Sequence, residues 1–147
     1  MTRSISNLDA SFLDRFADAW NAHDIDMLMD VMADDCVFEL SVGMEPWGTR
    51  YSGTDEVRDG FMQVLKKFPD GNWLINCHTV TGDRGVSEWV FTATGENGSP
   101  IEVNGCDLFT FRDGKIAKKD TILEYNLIVS QTEFSYMTLL REAPLRS

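Results

Sequence analysis

The stretch that decides the fold is Gly85 to Leu123, which contains three strand-like runs joined by two turn sequences. The runs are Val86-Ser-Glu-Trp-Val-Phe-Thr-Ala-Thr94, Ile101-Glu-Val-Asn-Gly-Cys-Asp-Leu-Phe-Thr-Phe111 and Lys115-Ile-Ala-Lys-Lys-Asp-Thr-Ile-Leu123. Asn97-Gly98 and Asp113-Gly114 separate them, and both dipeptides suit tight hairpin turns because such turns need φ above zero. The stretch therefore predicts a three-stranded antiparallel meander.

The two turns predict which side chains face one another. If Asn97 and Gly98 are the two central residues of the first turn, Glu88 lies opposite Asp107, with Cβ atoms about 4.5–5.5 Å apart. Two carboxylates at that separation do not ionise independently, so the pKa of one of them should rise. We predict a proton-sharing pair suited to acid–base chemistry near neutral pH.

The register across the second turn decides which residue joins this row. A two-residue turn places Asp120 opposite Asp107, whereas a three-residue turn with Gly114 in a bulge places Lys119 there. A lysine would stabilise the Asp107 carboxylate and favour a general base, and a further carboxylate would favour a general acid. The sequence leaves both registers open.

The chain before the meander predicts helices packed on the sheet. Apolar residues at helical spacing predict a helix over residues 8–22, a short one after a cap at Asp24, and a third capped by Thr54. Strand-like runs lie at 36–40 and 73–81, and a loop spans 41–53. This order predicts an α+β fold, in which N-terminal helices and a curved, mostly antiparallel sheet form a cone-shaped barrel around a pocket.

Composition indicates a globular protein. The 147 residues, with 43% hydrophobic content, are enough to bury a core, and we expect a single domain over 1–147. The net charge of −11 argues against a nucleic-acid partner and gives no reason to expect binding to an anionic membrane. No signal-peptide segment and no apolar run of about 18 residues occurs. Cys36, Cys77 and Cys106 form no CxxC pair and predict reduced, buried side chains, hence a cytoplasmic protein.

Four segments carry a family resemblance. They are Phe16-Ala-Asp-Ala-Trp-Asn-Ala-His-Asp24, Met32-Ala-Asp-Asp-Cys-Val-Phe38, Gly53-Thr54 and Gly105-Cys-Asp-Leu-Phe-Thr-Phe-Arg-Asp-Gly-Lys-Ile116. With them the chain resembles the nuclear transport factor 2-like superfamily, in its SnoaL-like and ketosteroid-isomerase-like branch, over roughly residues 10–123. The resemblance implies the cystatin-like α+β cone. It leaves the reaction open, because the fold hosts isomerases, polyketide cyclases, dehydratases, epoxide hydrolases and non-catalytic binding domains.

The resemblance also implies a role for Asp107. This residue matches the aspartic acid that ketosteroid isomerases keep protonated to donate a hydrogen bond to the enolate oxygen. The oxyanion-hole tyrosine of those enzymes falls at Phe16, and their aspartate base falls at Leu40, with Glu39 beside it. A literal ketosteroid isomerase is therefore not expected. Asp107 and Asp120 are the candidates for the acid–base aspartate of SnoaL-like cyclases.

The candidate site combines these residues with aromatic walls. His78 is a further acid–base candidate, because the turn after its strand can place it beside Glu88, a general base next to its orienter. The catalytic candidates are Asp107, Glu88, Asp120 and His78. The substrate-binding candidates are Phe12, Phe16, Trp20, Trp47, Phe61, Val90, Phe109 and Lys119. No metal-ligand motif and no phosphate-binding loop occurs, so we expect neither a metal nor a cofactor.

The first functional hypothesis is a cofactor-independent acid–base enzyme. It would catalyse isomerisation, aldol cyclisation or dehydration of a small, apolar, carbonyl-containing molecule in the pocket. The alternative is a non-catalytic small-molecule-binding or dimerisation domain. An epoxide hydrolase ranks lower, because it needs an Asp–Arg–Asp set and Arg84 and Arg112 lie at turns. The resemblance also implies a homodimer through the outer sheet face, where Trp89 and Phe91 are expected.

Overall fold

The structure, a computed structural model, describes residues 8–124. The helices in this part of the chain are α1 (Ala10–Asn21), α2 (Ile25–Asp30) and α3 (Thr54–Lys67). The strands are β1 (Met32–Glu45), β2 (Gly48–Ser52), β3 (Asn72–Thr81), β4 (Arg84–Thr94), β5 (Pro100–Arg112) and β6 (Lys115–Leu123). A short helix that the sequence predicts at about 132–141 lies outside the described residues.

The strands form one curved, unclosed sheet in the order β2-β1-β6-β5-β4-β3. Neighbouring strands are antiparallel except β1 and β6, which run parallel. The predicted α+β cone is confirmed. The loop predicted at 41–53 was wrong in part, because β1 continues to Glu45 and β2 pairs with it as a hairpin.

Side-chain caps fix where the first two helices begin. Asp9 caps α1 by accepting a hydrogen bond from the backbone nitrogen of Ser11 at 2.9 Å. Asp24 caps α2 in the same way, as predicted, and accepts from Met27 at 3.1 Å. The predicted cap of α3 at Thr54 was wrong, because Thr54 is the first residue of that helix and follows Gly53, at φ 85°, with no side-chain cap. These caps satisfy amide groups that have no partner within the helix.

The core lies between the helices and the concave face of the sheet. Aromatic residues dominate it, and the side chains of Phe38, Phe61 and Phe109 are completely enclosed. Trp89 and Phe91 belong to a second buried cluster on this inner face, with exposed fractions of 3% and 7%. Their predicted position on the outer face was wrong, so they cannot form a dimer interface there. The homodimer itself stays a prediction.

Gly105 makes room for the Trp89 side chain on the inner face. The two residues pair across β4 and β5. A Cβ atom at position 105 would collide with the six-membered ring of Trp89. The glycine therefore lets the large indole lie flat over β5, close to Asp107.

The cysteines differ in their environments. Cys36 is buried, as predicted, whereas Cys77 is exposed and Cys106 is half-buried; all three are free thiols. Within residues 8–124, no helix is long and apolar enough to cross a membrane.

Candidate functional site

The register of β4 and β5 differs by one residue from the prediction. Asp107 pairs with Ser87, and Glu88 pairs with Cys106. The connecting loop has five residues, Gly95 to Ser99, and is closed by a hydrogen bond from the amide of Gly95 to the carbonyl of Ser99 at 2.8 Å. A shift of one residue moves every side chain of a strand to the opposite face. The predicted Glu88–Asp107 pair was therefore wrong.

The observed register of β4 and β5 separates the two carboxylates onto opposite faces of the sheet. Glu88 is exposed on the outer face, and Val90 shares that face as a half-buried residue. Neither contributes to the cavity under the helices. Asp107, by contrast, is buried on the inner face with an exposed fraction of 6%.

Of the two turns that the sequence left open, the structure has the two-residue turn at Asp113-Gly114, with φ of 51° and 76°. A bulge in β6 just after this turn, at Ala117, then shifts the pairing with β5. As a result Asp107 pairs with Thr121, and both predicted pairings, with Asp120 and with Lys119, were wrong. Lys119 nevertheless shares the inner face with Asp107, whereas Asp120 points to the other face.

Four side chains on the inner face form a hydrogen-bonded group, which we call the Asp107 cluster: Asp107, Lys119, Thr121 and Trp89. Lys119 Nζ donates to Asp107 Oδ1 at 2.8 Å and to Thr121 Oγ1 at 2.6 Å. Thr121 Oγ1 donates to Asp107 Oδ1 at 2.5 Å, and Trp89 Nε1 donates to Asp107 Oδ2 at 3.0 Å. The carboxyl group of Asp107 thus receives three donors.

The surroundings of the Asp107 cluster decide its charge state. A buried charge is tolerated only when it is paired and hydrogen-bonded. Asp107 meets both conditions, because a lysine and two neutral donors surround its oxygens. The cluster therefore contains a buried salt bridge between Asp107 and Lys119, the arrangement that the sequence analysis associated with a general base.

Aromatic rings enclose the ammonium group of Lys119. Its Nζ lies 4.8 Å from the ring centre of Phe38, 5.2 Å from that of Trp20 and 5.8 Å from that of Phe61. These rings come from β1, α1 and α3. Ring faces at such distances attract a cation, and more strongly where water is excluded. The helices therefore contribute to holding the charge in place.

A cavity of about 80 Å³ lies beside the Asp107 cluster. Its walls are apolar except at the cluster, and its lining residues are Trp20, Phe38, Leu40, Val42, Val64, Phe68, Trp73, Trp89, Phe91, Ile101, Val103, Asp107, Lys119, Thr121 and Leu123. Because about 10–15 Å³ by this measure holds one water molecule, the space admits a small organic molecule. We call it the main cavity.

A second cavity of about 10 Å³ adjoins the other side of Asp107. Phe16, Trp20, Ser87 and Phe109 also line it. On the measure used for the main cavity, it has room for about one water molecule. Asp107 therefore has space on both sides, apolar on one and bordered by a serine hydroxyl on the other.

The predicted substrate-binding residues lie in different parts of the structure. Trp20 and Lys119 line the main cavity, and Phe16 and Phe109 line the second one. Phe12 and Phe61 pack in the core without lining either. Trp47 is exposed at the β1–β2 turn, where Arg50 lies over its ring at 4.4 Å.

Sequence reasoning missed Trp89, Thr121 and Ser87. The first two belong to the Asp107 cluster, and Ser87 pairs with Asp107. The alternation Ser87, Trp89, Phe91 was a usable signal, because the bulky aromatic members of a strand usually face the core.

His78 approaches Asp107 through Ser87. Its Nδ1 lies 2.7 Å from Ser87 Oγ, and its Nε2 lies 3.2 Å from Asp14 Oδ1 on α1. The predicted contact with Glu88 was wrong, because Glu88 pairs with Cys77 on the outer face. His78 thus hydrogen-bonds the buried serine that pairs with Asp107, and its Nε2 lies near the exposed Asp14 carboxylate without a hydrogen bond to it.

The outer face of β1 and β6 carries a separate group of charges. Glu39 is buried there between Arg50 and Lys118, each at 2.6 Å from one of its oxygens. Burial by itself raises the pKa of Glu39, but the hydrogen bonds from Lys118 and Arg50 outweigh it and hold the pKa below its ordinary value. Burial raises the pKa of Asp120, and the Glu39 carboxylate raises it further. This group does not touch the main cavity.

No metal centre is found in the part of the chain that the structure describes. No three His, Cys, Asp or Glu side chains there are arranged to hold an ion.

Comparison with known proteins identifies the family. The family model for the SnoaL-like domain matches residues 13–119. The chain belongs to the SnoaL-like family. No curated protein sequence matches this SnoaL-like chain significantly.

Solved structures of the same fold resemble this SnoaL-like chain at low identity. A candidate SnoaL-like polyketide cyclase from Jannaschia sp. CCS1 is 17% identical, with TM-score 0.73 and coverage of 98% of this chain and 99% of that one. IdmH, a candidate polyketide cyclase from Streptomyces antibioticus, is 23% identical, with TM-score 0.66 and coverage of 78% and 91%. A protein with a ketosteroid isomerase-like fold from Catenulispora acidiphila, in complex with trimethylamine, is 16% identical, with TM-score 0.68 and coverage of 82% and 88%. These similarities establish the fold.

Replacing Lys119 tests whether the buried pair stabilises the domain. We expect Lys119→Met to lower the free energy of unfolding by about 3–5 kcal/mol, because it leaves the Asp107 carboxylate buried without a cation. The neighbouring Lys118→Met is the matched control. Its partner Glu39 keeps Arg50, so a loss of about 1 kcal/mol or less is expected. Urea unfolding followed by tryptophan fluorescence measures both, and equal losses would show that the pair is not structural.

Replacing Asp120 tests the pKa shift on the outer face. The folded state binds the Asp120 proton more tightly than the unfolded chain, so stability falls as pH rises from the ordinary value of 3.8 through the raised pKa. Asp120→Asn should therefore stabilise the protein at neutral pH, and the gain should vanish in acid below the ordinary value. Unfolding curves across this pH range measure the difference. A variant less stable than the wild type at neutral pH contradicts the assignment.

Proposed function

We propose that this SnoaL-like domain is a cofactor-independent acid–base enzyme of the isomerase or cyclase type, acting on a small apolar carbonyl compound in the main cavity. The observation that carries the proposal is the Asp107 cluster, a buried Asp–Lys pair in the wall of an otherwise apolar cavity. Such a cavity binds an apolar body, and its few polar groups orient one functional group. A carbonyl is the group that a base and an ammonium donor together can activate.

Asp107 acts as the base in this mechanism. Its carboxylate removes a proton from the carbon next to the ligand carbonyl, and the electron pair moves to the carbonyl oxygen to give an enolate. Lys119 Nζ donates a hydrogen bond to that oxygen as its negative charge develops. Protonated Asp107 returns the proton to another carbon in an isomerisation. In an aldol closure the enolate carbon attacks a second carbonyl of the same molecule, and Asp107 protonates the new alkoxide.

An unpaired donor supports a carbonyl ligand. Trp20 lines both cavities, and its buried Nε1 has no hydrogen-bond partner among the residues that the structure describes. A buried N–H group without a partner is rare and unfavourable, by about 1–3 kcal/mol. A ligand carbonyl oxygen supplies the missing acceptor. Trp20 and Lys119 would then be the two donors of an oxyanion site.

The same geometry argues against the ketosteroid isomerase mechanism. Leu40 lines the main cavity where those enzymes carry their aspartate base, and Phe16 borders the second cavity where they carry a tyrosine. Glu39 cannot substitute, because it lies on the outer face between Arg50 and Lys118. Asp107 is the carboxylate on the cavity wall. It therefore serves as the base rather than as the protonated donor that the resemblance implied.

A non-catalytic binding domain is the second candidate. The observation that favours it is that the members of the Asp107 cluster satisfy one another, as they would in a purely structural network. Epoxide hydrolysis has less support, because Arg84 and Arg112 are exposed and Arg112 pairs with Asp35 on the surface. The similar structures described as candidate polyketide cyclases favour the enzyme over both.

Hydrogen exchange distinguishes the two candidates. The enzyme should accelerate exchange of the α-hydrogens of small apolar ketones such as cyclohexanone in heavy water, as measured by proton NMR. Asp107→Asn should lower that rate by about 10²–10⁴-fold without abolishing ketone binding. Glu88→Gln, a carboxylate change on the outer face, should leave the rate unchanged. Ketone binding with no acceleration by the wild-type protein, across a panel of ketones, would support the binding domain and contradict the enzyme.

A further inference from the structure

We propose that Lys119 is a covalent carbonyl-binding site, whose amine forms a Schiff base with an aldehyde or ketone in the main cavity. The inference rests on the proposed function for the cavity and the carbonyl class of ligand. It goes further, because it gives Lys119 Nζ a covalent bond to the carbonyl carbon of the substrate. Hydrogen bonding alone would leave the carbonyl group intact. It does not require turnover.

The burial of Lys119 singles it out among the five lysines of the chain. It is the buried one, with 4% of its surface exposed, and it lines the main cavity. The nearest lysine in sequence, Lys118, points to the outer face and pairs with Glu39. An amine in an apolar pocket beside a proton acceptor is the kind of lysine that proteins use for Schiff bases.

Asp107 provides the proton transfers that the reaction needs. Its Oδ1 lies 2.8 Å from Lys119 Nζ and can accept a proton from the ammonium, which leaves a neutral amine and a neutral acid. The amine nitrogen attacks the carbonyl carbon, and the carbonyl oxygen takes the electron pair and one of the amine protons to give a carbinolamine. Protonated Asp107 then donates to the hydroxyl, which leaves as water while the C=N bond forms. The net change is ammonium plus carbonyl to iminium plus water, and Asp107 is again a carboxylate.

The Asp107 cluster can stabilise the iminium product as well as the ammonium form of Lys119. An iminium at Lys119 Nζ carries the same single positive charge as the ammonium, so the Asp107 carboxylate and the ring faces of Phe38, Trp20 and Phe61 stabilise it equally. Apolar walls exclude the water that would hydrolyse it. The iminium also withdraws electrons from the neighbouring carbon more strongly than a hydrogen-bonded carbonyl does. The base Asp107 would then form an enamine.

Reductive trapping tests the proposal without knowledge of the natural substrate. The folded full-length protein is incubated with benzaldehyde, which has no α-hydrogen, and with sodium cyanoborohydride, which reduces an iminium to a stable secondary amine. Peptide fragmentation by mass spectrometry then distinguishes a benzyl group on Lys119 from one on Lys118. At low aldehyde concentration we expect Lys119 to be labelled about tenfold more than Lys118, because the cavity concentrates and orients the aldehyde. Labelled surface lysines with an unlabelled Lys119 would overturn the proposal.

Two variants test whether Asp107 takes part in the labelling of Lys119. Asp107→Asn should reduce labelling of Lys119 and leave that of the surface lysines unchanged, since the proton acceptor is lost only in the cavity. Lys118→Arg should leave labelling of Lys119 unchanged. Equal labelling of Lys119 in the wild type and in Asp107→Asn would contradict the role of Asp107 in the reaction.

The outcome is separable from that of the proposed function. Catalysed α-hydrogen exchange with an unlabelled Lys119 would leave the acid–base enzyme standing and remove the Schiff base. A labelled Lys119 without exchange would support covalent carbonyl binding and remove the enzyme.

Discussion

The ion pair between Lys119 and Asp107 is the interaction on which the rest of the structure depends. Two charges leave water when the domain folds, and several kcal/mol per ion must be recovered from contacts inside. Thr121 and Trp89 complete the hydrogen bonds of the carboxyl group, and aromatic rings from α1, β1 and α3 enclose the ammonium. Residues of both the helices and the sheet therefore stabilise the ion pair. A loss of either partner would leave a buried charge next to the main cavity.

Two local backbone features put this pair on the inner face. The five-residue loop between β4 and β5 sets Ser87 rather than Glu88 opposite Asp107, and the bulge at Ala117 near the start of β6 sets Thr121 opposite it. Each is an adjustment of one residue, and each reverses which side chains meet the cavity. Without them the site would contain a row of carboxylates. With them it contains one carboxylate, one ammonium and one hydroxyl, which is a different chemistry.

The sequence predicted the fold further than it predicted the site. Helical spacing, the cap at Asp24 and the turn at Asp113-Gly114 were all correct, because each depends on local chemistry. The first hairpin failed because Gly95-Glu-Asn-Gly-Ser99 accommodates a five-residue loop as readily as a two-residue Asn-Gly turn. The bulge in β6 leaves no mark in composition. The register of β4 and β5 arises from packing, since seating Trp89 over Gly105 requires it.

The family resemblance and the turn chemistry both predicted that Asp107 lies in the site. They did not predict its hydrogen-bond partners. The aromatic residues of β4 indicated that Trp89 faces the core, but the predicted register of the first hairpin assigned Trp89 to the outer face. Lys119 was considered as a neighbour of Asp107 and is one, although it reaches that residue diagonally across β5 and β6 rather than directly. Long side chains span such diagonals, which are about 7–8 Å between backbone positions.

A crystal structure of the protein soaked with cyclohexanone tests the central claim most directly. The account predicts the ring in the main cavity, with its carbonyl carbon bonded to Lys119 Nζ or its oxygen within hydrogen-bonding distance of that atom. A ketone bound elsewhere on the molecule, or bound in the cavity with its carbonyl turned away from the Asp107 cluster, would contradict it.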